Sequence, residues 1–291
     1  MLHHDRVYML AADHRWQWEE WCDARGLARE RIADAKRLAF DAFMLAREAS
    51  PDVRDHGALL LDAQYSSPIV AEAARAGIDV GTPAEKAGAF PLAWAAEPFD
   101  RALAGAFVKV LVRYRSDDEP SIHDEQRRKL LELHAWCRAA GKPLVVEILV
   151  GRRGEPEDEF EASGRPAMLA RFVHEAYDRG LVPEFWKIEG TLSAHGARVI
   201  DDAIGAQAGG RQIILGKAAD LGTIDRWFAV AAKTATAAGF AIGRSVFWDP
   251  SVAYLSGGTT AAAARDRIAD NYLRLVGAWR MHGSGPTDAK L

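Results

Sequence analysis

Two lysines stand alone in otherwise apolar runs of this sequence. Lys187 lies within Phe185-Trp186-Lys187-Ile188-Glu189-Gly190, and Lys109 within Phe107-Val108-Lys109-Val110-Leu111-Val112. An ammonium taken out of water costs several kcal/mol unless it is paired or loses its proton. An uncharged amine in an apolar pocket adds to a carbonyl to give a Schiff base, and the iminium then draws electrons from the adjacent C–C bond. Two carboxylates are placed in the same way: Asp13 closes Val7-Tyr8-Met9-Leu10-Ala11-Ala12, and Glu147 interrupts Leu144-Val145-Val146-Glu147-Ile148-Leu149-Val150. Glu189, two residues beyond Lys187, points to the same strand face and offers the other meaning, a structural ion pair. Covalent amine chemistry with a neighbouring acid/base, or a buried charge network with no chemistry, are the two readings open to these residues. Lys109 competes with Lys187 for the role of nucleophile.

Such residues need strands to carry them, and the chain supplies eight candidates. In order these are Val7–Ala12, Ala58–Leu61, Ile78–Gly81, Phe107–Tyr114, Leu144–Val150, Phe185–Gly190, Arg211–Lys217 and Phe240–Trp248. Helical periodicity follows most of them: Trp16 to Trp21 and Arg29 to Ala49 (stopped by Pro51), a short helix from Pro68, then Asp124 to Ala140 and Pro166 to Arg179. Further helical stretches begin at Ser193, run from Ile224 to Ala238, and run from Thr260 to Trp279. Strands that read as continuous apolar runs are buried on both faces, as in a parallel sheet covered by helices. Repeats of roughly 30–40 residues over this length predict a single (β/α)8 TIM barrel. One domain spans 1–291, with 283–291 expected to be a frayed tail. The polar stretch Gly151 to Arg165 is expected to be a solvated loop or a mobile cover over the barrel mouth.

In such barrels chemistry sits at the C-terminal ends of the strands. Alternation puts Lys109, Leu111 and Arg113 on one face of the fourth strand and Val145, Glu147 and Leu149 on one face of the fifth, so two lysines and two carboxylates are expected to converge in one interior layer. Barrel interiors are ordinarily filled by Val, Ile and Leu, which favours a chemical role for the charges. Gly216-Lys217 and Gly243-Arg244 end the last two strands. Glycine there lets backbone N–H groups approach a phosphate, and arginine can grip it bidentately; turn glycines beside surface cations are the alternative.

The chain of 291 residues is 49% hydrophobic and 27% charged with a net charge of −4, so it has material for a core and no basic field for nucleic acid or an anionic membrane. No run approaches the ~20 apolar residues of a membrane span, and the N-terminus lacks a signal-peptide pattern. Cys22 and Cys137, far apart and without metal-ligand spacing, fit a reducing cytoplasm. The nine histidines form no HxH or HxxxH group, so no metal and no other cofactor is expected. His14 and His56, near strand ends, read as structural or substrate-orienting. Trp16, Trp18 and Trp21 read as helix packing, and Gly209-Gly210 and Gly257-Gly258 as loop glycines rather than a dinucleotide fingerprint.

The ordered series of strand-borne Asp, Lys, Glu and Lys resembles that of class I aldolases. The motifs Asp13-His14-Arg15, Leu60-Leu61-Asp62-Ala63-Gln64-Tyr65, Lys109-Val110-Leu111-Val112-Arg113-Tyr114, Val146-Glu147-Ile148-Leu149, Trp186-Lys187-Ile188-Glu189 and Ile242-Gly243-Arg244-Ser245 resemble the aldolase-type domain fused to the sugar kinase of inositol catabolism. The tagatose-bisphosphate aldolases are more distantly similar. The resemblance spans essentially the whole chain. It implies Lys187 as the Schiff-base lysine, Glu147 as acid/base, Lys109 as its charged neighbour and Asp13 as the first-strand acid. Arg15, Asp62, Gln64, Arg113, Gly216, Lys217, Gly243 and Arg244 are implied as substrate or phosphate contacts. The activity implied is retro-aldol cleavage of 2-deoxy-5-keto-gluconate 6-phosphate to dihydroxyacetone phosphate and malonate semialdehyde. Tagatose-bisphosphate or sulfo-sugar phosphate cleavage, a non-covalent isomerase or epimerase, and a non-catalytic sugar-phosphate-binding barrel stand as alternatives. The expected partner is a small sugar phosphate, with a homo-oligomer possible.

Overall fold

The computed structural model describes residues 2, 5–96, 99, 101 and 103–283; of the expected tail, residues 284–291 lie outside them. Eight parallel strands close into a barrel in sequence order, β1 (Val7–Ala12), β2 (Gly57–Leu61), β3 (Val80–Pro83), β4 (Phe107–Arg113), β5 (Leu144–Leu149), β6 (Phe185–Glu189), β7 (Gln212–Leu215) and β8 (Ala237–Ile242), with β8 pairing back to β1. Around them run α1 (Trp16–Asp23), α2 (Ile32–Ala49), α3 (Pro51–His56), α4 (Ala63–Arg75), α5 (Pro120–Ala139), α6 (Glu157–Glu159), α7 (Arg165–Tyr177), α8 (Ala194–Gly205), α9 (Leu221–Ala231), α10 (Arg244–Leu255) and α11 (Ala261–Gly283). The protein is a single (β/α)8 TIM barrel. Among the described residues none of its helices is long and apolar enough to cross a membrane.

Alternation along each strand divides the apolar residues between two cores. Val7, Met9, Ala11, Leu60, Phe107, Val145, Phe185, Ile213 and Ala241 fill the barrel. Tyr8, Leu10, Leu59, Val108, Val110, Val146, Ile148, Trp186 and Phe240 point outward and pack under the helices. The runs are therefore apolar on both faces, as a parallel sheet requires. Above Phe107, Val145 and Phe185, the next inward positions on β4, β5 and β6 are Lys109, Glu147 and Lys187. The top layer of the interior is charged.

The structure departs from the sequence-based reading at several elements. The third strand lies two residues later than expected, because the hydrogen-bond ladder follows Thr82 and Pro83 alongside Val108 and Lys109 rather than the more apolar Ile78. Its crossover to β4, residues 84–106, contains no helix among the described residues. The eighth strand ends at Ile242, and Arg244 to Trp248 begin α10. Val246-Phe247-Trp248 has the composition of a strand, yet Phe247, Ser251 and Leu255 are buried at a spacing of four, so packing overrides propensity. The preceding helix stops at Ala231 rather than Ala238, since Ala237-Ala238 are poor in bulk but lie in the barrel wall. Pro51 does not simply end a helix: it opens α3 behind the Ser50 cap.

The stretch 151–165 is shorter as a loop than expected, because helical structure begins at Glu157 and continues through a π-helical turn, Phe160–Gly164, into α7. Its polar portion is tied down. Arg115 bonds Gly151 O at 2.6 Å and Glu155 at 2.5 Å, and Arg153 bonds Asp118 at 2.5 Å.

Candidate active site

The charged layer is one connected cluster. Lys109 Nζ lies 3.1 Å from Asp13, 3.0 Å from Glu85 and 2.9 Å from Glu147 Oε2. The same Glu147 oxygen accepts from Lys187 Nζ at 3.0 Å. Lys109 is 3% and Lys187 4% exposed, so both amines sit in a water-poor environment. Register explains the meeting: Glu147 and Lys187 are direct partners across β5 and β6, and Leu111, the neighbour of Glu147 on β4, stands two residues above Lys109.

Glu85 is a member that sequence reasoning missed. It follows β3 in the helix-free crossover, where an antiparallel bridge between Glu85 and Trp94 folds the segment back. Its carboxylate reaches Lys109 and accepts from the Leu111 N–H at 3.2 Å, while Arg15 donates to its carbonyl at 3.2 Å and lies 3.4 Å from its side chain. The available signal was position alone: Glu85 is the one acid closing the third strand, as Asp13 closes the first.

The two lysines differ in their carboxylate partners. Burial works against the Lys109 charge, but attraction to Asp13, Glu147 and Glu85 outweighs it and lifts Lys109 well above the ordinary lysine value. Burial likewise pushes Asp13 and Glu147 upward, yet the Lys109 and Lys187 ammonium groups win and hold both below the usual carboxylate range. Lys109 is thus committed as a cation among three anions. Lys187 has a single carboxylate partner among the described residues, Glu147.

His14 lies 4.0 Å from Asp13, but burial, reinforced by Arg244 and Lys36, outweighs the attraction of Asp13 and brings its pKa down to about 3. At neutral pH it is an uncharged ring, and its contact with Asp13 is not an ion pair.

The cluster forms the floor of a cleft that opens to solvent at the C-terminal ends of the strands. Arg15, Gly216, Lys217, Gly243 and Arg244 line it together with the four charged-layer residues Asp13, Lys109, Glu147 and Lys187. Asp62, Gln64 and Arg113 do not. Asp62 caps α4 through the Tyr65 N–H at 2.7 Å and pairs with Lys36 at 2.8 Å. Gln64 donates to Glu19 at 3.1 Å, outside the barrel. Arg113 is the last residue of β4, paired with Leu149, and its side chain is exposed at the end of the strand.

Lys36, on α2, is 1% exposed and was not singled out from the sequence, where it sits in an ordinary amphipathic helix. Its ammonium bonds Ala12 O and His14 O, each at 2.5 Å, besides Asp62. These two carbonyls flank Asp13. Lys36 therefore clamps the turn that aims Asp13 at Lys109 and Arg15 at Glu85.

Two glycines keep the mouth compact. A Cβ on Gly243 would lie 1.9 Å from Ala11 O and 2.9 Å from the His14 ring, so only glycine lets β8 turn into α10 here. Gly216 meets Ile242 and Ser245 in the same way, at 2.9 and 3.4 Å. Next to it, Lys217 and Ala218 take left-handed backbone conformations with φ of 45° and 61°, unusual for residues with side chains and frequent at functional turns. Lys217 reaches back to Glu189 at 2.8 Å, which balances its charge.

If Arg15, Lys109 and Lys187 are set against Asp13, Glu85 and Glu147, the ionised charges cancel, and Lys217 cancels Glu189. Arg244 is left over. It makes no hydrogen bond or ion pair with the described residues, and its Nε is buried without a partner. Burial pulls its pKa down, though an arginine remains charged. The cleft therefore carries one cation in excess, at the end of β8, and suits an anion.

A sequence profile of the family described as "Uncharacterized protein conserved in bacteria (DUF2090)" matches residues 2–283. The chain belongs to this family. No curated protein sequence matches it. Among solved structures, it is similar to the crystal structure of Cgl0159 from Corynebacterium glutamicum (Brevibacterium flavum), at 16% identity and a TM-score of 0.59, over 94% of this chain and 88% of that one. That similarity is one of fold alone, and the chemistry has to be read from the cleft.

Proposed function

We propose that this member of the family is a class I aldolase, a carbon–carbon lyase acting on a phosphorylated keto sugar through a Schiff base on Lys187. The observation that carries the reading is the single Glu147 oxygen shared between a lysine locked by three carboxylates and a second lysine with no other carboxylate partner among the described residues. Lys109 supplies a fixed charge; Lys187 is the amine positioned to react.

Lys187 passes an ammonium proton to Glu147, 3.0 Å away, the freed amine adds to the ketone carbon, and Glu147 returns that proton to the departing hydroxyl as the carbinolamine loses water. The protonated imine then accepts the electron pair of the C–C bond one carbon away. The hydroxyl on the far carbon gives up its proton to a carboxylate of the cluster and becomes the aldehyde product. The remaining enamine takes a proton at carbon, and water releases the ketone and restores the lysine, so the water lost first is regained. Lys109 keeps Glu147 and Asp13 ionised as proton acceptors, and Arg244 with the Gly216 and Gly243 turns seats the substrate's phosphate. By the family resemblance the substrate is 2-deoxy-5-keto-gluconate 6-phosphate, yielding dihydroxyacetone phosphate and malonate semialdehyde, with the enzyme working in the cytoplasm without a cofactor.

The test is borohydride reduction in the presence of dihydroxyacetone phosphate, followed by peptide mass mapping. A reduced adduct on Lys187 that disappears in Lys187→Ala is expected. No adduct, or one that survives that substitution, refutes the mechanism.

A further inference from the structure

The cleft does not end at Arg244. Gln17, Ala218 and Arg244 line it on one side and also line a second, outer chamber of about 1170 Å³ of largely open space between the β7–α9 turn, α10 and α11. Three guanidinium groups face this chamber, those of Arg244, Arg267 and Arg274. None of the three has a hydrogen bond or ion pair among the described residues. Arg267, Asn271 and Arg274 follow one another at spacings of four and three, so they form a single stripe along α11. The outer two are about 10 Å apart along the axis. Asn271 between them is buried and tied to Val246 O at 3.0 Å, which fixes α11 against α10 and sets the height of both arginines.

The partition between cleft and chamber holds two buried polar atoms without partners, Arg244 Nε and Ser245 Oγ. A buried polar atom of this kind is satisfied by a water, an ion or a ligand group that enters the partition. Of the two acids on the chamber wall, Asp220 is consumed in capping α9, accepting from Thr223 N at 2.9 Å and Thr223 Oγ1 at 2.7 Å. Asp249 is exposed and does not offset three arginines. Trp248, stacked on Trp18 at 4.0 Å, gives the chamber an apolar wall.

We infer that the outer chamber is a binding site for a second phosphoryl group: a ligand with two linked phosphoryl groups places one at Arg244 and Ser245 and the other between Arg267 and Arg274. A single phosphate fills only the inner seat. The inference shares the Arg244 phosphate seat with the proposed function but needs no turnover, so a missing borohydride adduct would remove the aldolase reading and leave this one testable.

Isothermal calorimetry with inorganic phosphate and with pyrophosphate, in metal-free buffer at low ionic strength, decides it. Pyrophosphate is expected to bind about tenfold more tightly than phosphate, as two additional exposed ion pairs would produce. In R267A/R274A that preference should vanish while phosphate affinity stays as it was, and in R244A both ligands should weaken. Equal affinities in the unaltered protein, absence of binding by either anion, or a pyrophosphate preference that persists in R267A/R274A would each overturn the inference.

Discussion

Replacing Lys109 by methionine preserves the length of the side chain and removes the ammonium that Asp13, Glu85 and Glu147 share at 3.1, 3.0 and 2.9 Å. Lys187 remains 3.0 Å from Glu147, and Arg15 remains 3.4 Å from Glu85, so Asp13 is the carboxylate left most exposed to its neighbours' repulsion. Removing one partner of a buried ion pair costs about 3–5 kcal/mol. With two of the three acids partly compensated, the loss at pH 7 should fall near the lower end, ~3 kcal/mol. The pH dependence then distinguishes this cause from a packing defect. In the unaltered protein Asp13 and Glu147 are held below the usual range, so their contribution is present above pH ~4 and is lost as pH falls through their folded values. Without Lys109, burial and mutual repulsion raise the acids instead, and the folded state gains protons relative to the unfolded chain. Stability of Lys109→Met should therefore rise from pH 7 to pH 5, where the unaltered protein shows no such gain. Urea unfolding at both pH values measures it. A loss below ~1 kcal/mol at pH 7, or a variant whose stability runs parallel to the parent between the two pH values, refutes the charge-cluster account.

Lys36→Met should cost about 3 kcal/mol by stranding Asp62 and two buried carbonyls. The exit of β1 should loosen with it, read as faster amide exchange at residues 12–15 alongside denaturant unfolding. Gly243→Ala, with a Cβ that would stand 1.9 Å from Ala11 O, should destabilise by about 1–3 kcal/mol as β8 and β1 are forced apart, and should weaken phosphate binding measured by calorimetry. Because the folded pKa of His14 lies near 3, below its ordinary value, its contribution is complete above pH ~6.5 and declines as the pH falls toward 3. His14→Gln should flatten that acid-side slope in thermal unfolding scans from pH 7 to pH 4.

Strand composition carried most of the architecture. Eight apolar runs without polar alternation can be buried only in a parallel sheet covered on both sides, and a lone charge in such a run has nowhere to go but the interior or the mouth. For that reason Asp13, Lys109, Glu147 and Lys187 were legible as a set before any coordinates. The same logic failed where composition and geometry part. Val246-Phe247-Trp248 looks like strand but packs as helix, and Ala237-Ala238 looks like helix but lies in the barrel wall.

Residue types and the period of two thus determined, from sequence alone, which charges enter the barrel. Tertiary structure alone decided how those charges divide the work: Glu85 arrives from a crossover with no helical period to announce it, Lys36 from a helix on the far side of the wall, and Lys217 turns back to Glu189 instead of standing free. Asp62 and Gln64 carry the same letters whether they face a ligand or cap and brace a helix. Periodicity encodes the face a side chain takes, whereas pairing depends on distances between segments far apart in the chain, which no local pattern contains.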